Sequence, residues 1–331
     1  MWVLLLFFFN FLNAFNPLIF YPKLINMKLP ELPLNEWEKT KMTLHLFMQV
    51  VGKIKLKCMP RKNHWWNLTL RLNAKGITTA SMPYKNGCFE ILFNLVNHHV
   101  EISTSNGGFE TFSLEDISVA DFYSRIFEKL QVLEIRVTII AKPYSIPDAN
   151  PITTPFAEMK EYSTYQKEYV ERFWKILLWV HNVFTEFAGR FYGKTSPVQI
   201  FWHHLDLVVT RFSGEKIPLP AGMKISDKDA YSHEVISFGF WAGDDNITEP
   251  AFYSYTYPAP HELANQSLQP ASAKWVVNNG SPMAVLLYNN LKAETDPRKA
   301  LLDFMESAYI AGATLAGWQL EELKVPELTD L

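Results

Sequence analysis

The sequence predicts an α+β fold made of two helix–antiparallel meander–helix units packed together. Three observations carry this expectation. Two long segments place apolar residues at helical spacing, and each is followed by short alternating runs separated by turn residues. A proline-rich stretch stands between them, and the second half repeats the order of elements in the first.

In the first half, Asn35 precedes EWEKTKMTLHLFMQVVGKIKL, where Trp37, Met42, Leu46 and Val50 approximate one stripe and acidic residues fill the first turn. Residues 35–54 therefore read as a helix. The runs 65–73, 77–83, 88–95 and 98–104 alternate or are continuously apolar, with turn signals at Lys75-Gly76, Asn86-Gly87 and Asn106-Gly107, which predicts an antiparallel meander. Ser118 caps a second helix over 118–131, with Ala120, Tyr123, Phe127 and Leu130 on one side, and 134–141 reads as a further strand.

Pro143, Pro147, Pro151 and Pro155 cannot continue a helix or a central strand, so a linker is expected at 143–160. It divides a first α+β unit, 27–142, from a second, 161–320, which is followed by a tail at 321–331. The second unit opens on a long helix at about 165–191, continues with strands at 198–212, 232–241 and 250–257, and closes on a helix at about 296–317. NHWWNLTLRLNAKG can be laid beside IFWHHLDLVVTRFSG, and either an internal duplication or shared strand composition accounts for the echo.

Residues 1–26 form an apolar extension that stands apart from this scheme. Residues 2–21 are long enough to cross a bilayer, yet asparagines and Pro17 interrupt them, and no positive charge precedes them as a secretory signal requires. Three readings stay open: translation beginning at Met27, so that the extension is not native; a membrane anchor, the only route to a membrane; or an apolar arm. As an anchor it would leave the body cytoplasmic, because Lys23 and Lys28 follow it.

Composition narrows the function classes. At 331 residues, 48% hydrophobic and 20% charged, the chain can bury one large or two modest cores. A net charge of −3 without a Lys/Arg tract argues against nucleic acid as a partner. Cys58 and Cys88 make neither a disulfide framework nor a Cys-x-x-Cys pair, which fits a reducing, cytoplasmic setting. Nucleophile-elbow, phosphate-loop and dinucleotide-turn motifs are missing from the sequence.

The stretch 199–258 concentrates polar groups on strands: His203, His204, Asp206, Arg211, His233, Glu234 and Glu249 among large apolar residues. Alternation puts Asp206 and Arg211 on opposite faces. Arg211 could clamp an anion in bidentate fashion, or pair with Glu234 or Glu249. Tyr253 and Tyr255 share a face, and His64, Trp65 and Trp66 read as either core or a stacking platform. His233 with Glu234 or Asp206 could serve as a general acid/base pair, with or without a divalent metal, but no fixed metal-ligand spacing is present and no metal ligand is assigned.

The blocks LPLNEWEKTKMTLHLFMQVVGKIKL, NHWWN, FYGKTSPVQIFW, DLVVTRFSG, AYSHEVISFGFW and EPAFYSYTYP resemble a bacterial family catalogued only as domain of unknown function 5996, over about Leu32 to Trp318. The resemblance implies no reaction or cofactor, so the cofactor stays unknown. It implies that Asp206, Arg211, His233-Glu234 and Glu249-Pro250 are typical of the family, whereas His203 and His204 are not.

The resulting expectation is a small-molecule ligand, carrying an anionic group, in an aromatic pocket between the two units. Trp65, Trp66, His64, Arg211, Tyr253, Tyr255 and Glu249 would bind it, with His233, Glu234 and Asp206 as catalytic candidates. A metal-dependent or acid/base hydrolase or isomerase is the first alternative. A structural or interaction protein without a ligand is the second.

Overall fold

The computed structural model describes residues 28–144, 152–218, 221–278 and 280–326. The chain divides into two units, Met1–Pro30 and Glu31–Leu331. The expectations for residues 1–26, the centre of the proline-rich linker and the end of the tail lie outside the described residues. From Glu31 onward both halves belong to the second unit.

Helix α1 (Leu34–Cys58) has Glu36 in its first turn and Lys55 and Lys57 in its last, charges that oppose the helix dipole. Helix α2 (Val119–Val132) begins at the expected Ser118, whose side chain accepts from Asp121 N while the Asp121 carboxylate accepts from Ser118 N, a complete capping box. Its buried residues are Val119, Ala120, Phe122, Ile126 and Leu130, so of the side expected from spacing Ala120 and Leu130 are buried while Tyr123 and Phe127 are half-buried at its margin. Phe122 stacks on Phe47 of α1 at 4.3 Å and meets Phe93 and Phe112 at 6.0 and 5.5 Å, which seats both helices on the first sheet.

That sheet runs β1 (Arg71–Leu72), β2 (Gly76–Thr78), β4 (Gly87–Asn94), β5 (His99–Thr104), β6 (Phe109–Ser113), with β3 (Met82–Tyr84) pairing β4. Two expectations change here. The strand read over 65–73 shrinks to its last residues, because Asn63–Trp65 forms a tight 3-10 turn in which His64 and Trp65 both take a φ of 58°. The strand read over 134–141 is irregular chain.

Helix α3 (Lys167–Gly189) opens the second half. The second sheet has the order β11 (Lys274–Asn278), β12 (Ser281–Leu287), β10 (Ala251–Tyr257), β9 (His233–Trp241), β8 (Asp206–Lys216), β7 (Gln199–Phe201), antiparallel throughout. The run read as one strand over 198–212 is two, broken by a turn at 202–205 whose Trp202 ring lies against Gly52 of α1. A Cβ at Gly52 would stand 2.3 Å from that indole, so only glycine admits it. A short helix α4 (Ile225–Ala230) precedes β9, and α5 (Tyr288–Ala293), α6 (Pro297–Leu315) and α7 (Leu320–Leu323) follow β12. Asp296 caps α6 with Pro297 at its first position.

Leu70 and Ile200 exchange backbone hydrogen bonds at 2.9 Å, joining the edge of the first sheet to that of the second. Both halves thus keep the order helix, meander, helix. The two segments laid side by side in the sequence nevertheless take different forms, a 3-10 turn with a two-residue strand against strands of three and eleven residues joined by a turn.

Strand alternation sorts the second sheet into two faces. Leu207, Val209, Arg211, Ile236, Phe238, Phe240, Phe252 and Thr256 turn toward α3 and α6, where Phe187 meets Phe238 at 4.7 Å. Asp206, Thr210, Phe212, His233, Ser237, Trp241, Tyr253 and Tyr255 turn the other way.

Candidate functional site

The face away from the helices carries the candidate site. Gly239 of β9 sits directly between Val208 of β8 and Tyr253 of β10 in the ladder. With no side chain there, the Tyr253 ring lies across β9, and a Cβ on Gly239 would fall 2.2 Å from its Cζ. The phenol therefore reaches a third strand, where its hydroxyl donates to Asp206 Oδ2 at 2.6 Å.

Asp206 is only 7% exposed, and its other oxygen, Oδ1, has no hydrogen-bond partner among the described residues. Burial pushes its carboxyl above the usual carboxylate range, against the opposing pull of His204 and of the Tyr253 bond. A buried oxygen without a partner costs about 1–3 kcal/mol, more when charged, so Oδ1 is an acceptor with an unmet requirement.

Around it stands a hydroxyl-rich floor. Tyr255 hydrogen-bonds with Tyr231 and Ser237, and Thr210 Oγ1 and Ser237 Oγ lie 2.9 Å apart. Burial drives the Tyr253 and Tyr255 phenols well above their ordinary values and raises Tyr231. All three therefore stay protonated near neutral pH and serve as donors. Tyr253 stacks on Tyr255 at 6.3 Å and meets Trp241 at 5.4 Å, while Tyr231 and Tyr257 lie 4.5 Å apart. These five rings are half-buried, and the hydroxyls of Tyr253 and Tyr255 are desolvated.

Beside this floor the 202–205 turn packs on α1. His45 is held far down, to about 3, by burial first and by Lys41 and His204 second. His203 is likewise held low by burial, His204 and His45. The His203 and His204 rings stand 4.4 Å apart in a turn. No group of three or more His, Cys, Asp or Glu among the described residues is placed to hold a metal ion.

The structure separates the candidates into groups. Asp206, Tyr253 and Tyr255 come together as described. Arg211 lies on the helix side, 1% exposed, its guanidinium 3.5 Å from the Phe187 ring centre, donating to Phe187 O at 2.7 Å and facing Glu306 at 3.3 Å. It is thus the paired structural arginine, with Glu306 as partner in place of Glu234 or Glu249, and it offers no clamp to a ligand at Asp206. Glu234 also faces the helices, accepting from Trp318 Nε1 at 3.0 Å.

His233 shares the face of Asp206 but not its neighbourhood. It stands eight residues along β9 from Trp241, which is level with Asp206, and at about 3.3 Å per residue that is roughly 26 Å. Neither acid/base pair expected for His233 is assembled. Instead its ring lies 5.4 Å from that of His64, which packs on Trp66 and Phe212 at 5.6 and 4.6 Å. Trp65 donates from Nε1 to Ser226 O at 2.9 Å. Glu249, ahead of β10, has a buried Oε2 without a partner among the described residues.

Sequence reasoning missed Tyr231, Ser237, Gly239 and His45. Gly239 carried a signal, a glycine inside the apolar run VISFGFW, where a strand gives up packing only for a close approach.

A family model described as "Family of unknown function (DUF5996)" matches residues 29–325. No curated protein and no solved structure matches the chain.

Proposed function

The chain belongs to this family of unknown function, and we propose that it binds a small molecule in the aromatic recess above Asp206 and Tyr253. The observation that carries this reading is the unpartnered Oδ1 of a buried carboxyl whose other oxygen is already taken by Tyr253. Such an atom calls for a donor. The ligand is therefore one that presents an amine, amide or hydroxyl group to Asp206 and apolar surface to Trp241, Tyr253 and Tyr255. An anionic group finds no support there, since Arg211 is committed to the helix side. Free Cys58 and Cys88 favour a cytoplasmic setting for this role.

Thermal-shift screening of small amines, amides and polyols tests the proposal. Ligands that raise the midpoint of the parent chain should lose that effect in Asp206→Leu, which removes the acceptor, and keep it in Lys85→Met, an exposed site elsewhere. Shifts that persist unchanged in Asp206→Leu would contradict it.

A further inference from the structure

We infer a second site, for a phosphate-sized anion, where the His64 turn meets the far ends of strands β8 and β9. His64 and Trp65 are consecutive non-glycine residues in the left-handed region, each at φ 58°. Such backbone is strained for residues with a side chain and persists only where its surroundings fix it. Here they do: His64 Nδ1 lies 3.1 Å from Ala230 O, the Trp65 indole is tied to Ser226 O, and Lys62 N donates to Asn67 Oδ1 at 3.2 Å.

A carbonyl can only accept, so His64 Nδ1 carries the proton and Nε2 is left as an acceptor. Lys194 Nζ and Asn63 Nδ2 both donate to it, each at 3.2 Å. The strained turn thus positions an ammonium group, which also lies 4.7 Å from the Phe212 ring centre and 5.1 Å from that of Trp66. Lys62 Nζ stands 5.5 Å from the same Trp66 ring, and Lys216 is the ladder partner of His233.

Among the described residues, none of Lys62, Lys194 and Lys216 meets a carboxylate. Asp229, the acid that acts on His64, is taken by Arg61 at 2.6 Å. The mutual repulsion registers on the groups themselves: Lys194 is held down by burial and by Lys62, and His233 by burial, Lys194 and Lys216. The three lysines are exposed beside the His64–His233 pair with no carboxylate partner among the described residues, and an anion seated among them offsets their repulsion. At the rim Asn63 Nδ2 also donates to Ser232 Oγ at 3.3 Å, which ties the turn to the start of β9. This site lies at the opposite end of β9 from Asp206 and stands or falls independently of the recess.

The test is a titration of the full chain with inorganic phosphate at low ionic strength, followed through the ring signals of His233 and the thermal midpoint. Saturable binding that raises both the His233 titration point and the midpoint is expected, weakening with added salt. Lys216→Met, at an exposed position outside the His64 contacts, should weaken binding about tenfold, as should Lys194→Met, for loss of one charge-assisted contact. Lys274→Met, on the distant edge strand β11, should leave it unchanged. Repeating the titration with phenyl phosphate distinguishes the ligand's source: tighter binding of the ester assigns a phosphomonoester seated on Trp66, and equal binding assigns free phosphate. Absence of saturable binding, or equal binding by the parent and Lys216→Met chains, would overturn the inference.

Discussion

The Tyr253 hydroxyl meets the Asp206 carboxyl at 2.6 Å across an intervening strand, and it can do so because Gly239 leaves the crossing point bare. Three strands are tied by one side chain, and the tie leaves Asp206 Oδ1 as a buried oxygen without a partner among the described residues.

Gly239→Ala should therefore destabilise the fold by about 1–3 kcal/mol, the usual cost of forcing a side chain into packed space. The added Cβ would overlap the Tyr253 ring, not solvent. Urea unfolding checks this, and the cost should shrink in a Tyr253→Ala background, where the ring is gone. An equal cost in both backgrounds would place the strain elsewhere.

Asp206 gives the stability a definite pH dependence. Its folded value lies above its unfolded one, so the folded state binds the proton more tightly. The stabilisation is full below the unfolded carboxylate value and is lost as pH rises through the folded value. Asp206→Asn should remove that decline, so the difference in stability between the two chains should change over this window and be flat below it.

His45 acts with the opposite sign. Held near 3 when folded, it takes up a proton more readily when unfolded, so its contribution is full above about 6.5 and drains away as pH falls toward 3. His45→Gln should flatten the acid side of the stability profile relative to the parent chain, as read by denaturant midpoints across the same pH range.

Arg211 should behave as a structural residue. Arg211→Ala strands the buried Phe187 carbonyl, leaves Glu306 with Arg190 alone and opens space between Phe187 and Tyr309, and a loss of about 1–3 kcal/mol is expected. Ligands of the recess should bind the folded fraction of this variant as they bind the parent.

Much of the frame was legible in the sequence. Periodicity located the long helices to within a few residues, and the capping box at Ser118 was visible as a serine before an apolar run. Alternation alone separated Asp206 from Arg211 and joined Tyr253 to Tyr255. Strands β11 and β12 went unread because KWVVN and SPMAVLL are short and contain or adjoin proline and asparagine, and the strand expected over 65–73 lost its first part because its strand-forming tryptophans serve a strained turn. Distance along a strand was the other blind spot. His233 and Asp206 share a face, but their separation depends on register, which local residue types do not encode.

The central claim is that Asp206 Oδ1 belongs to a ligand. A high-resolution crystal structure of the chain with the best stabilising compound from the screen tests it most directly. A donor atom of that compound within hydrogen-bond distance of Oδ1, its body on Trp241, Tyr253 and Tyr255, is the predicted result. Finding Oδ1 bonded to one of the protein's own groups, with those rings packed closed and the compound elsewhere, would contradict it.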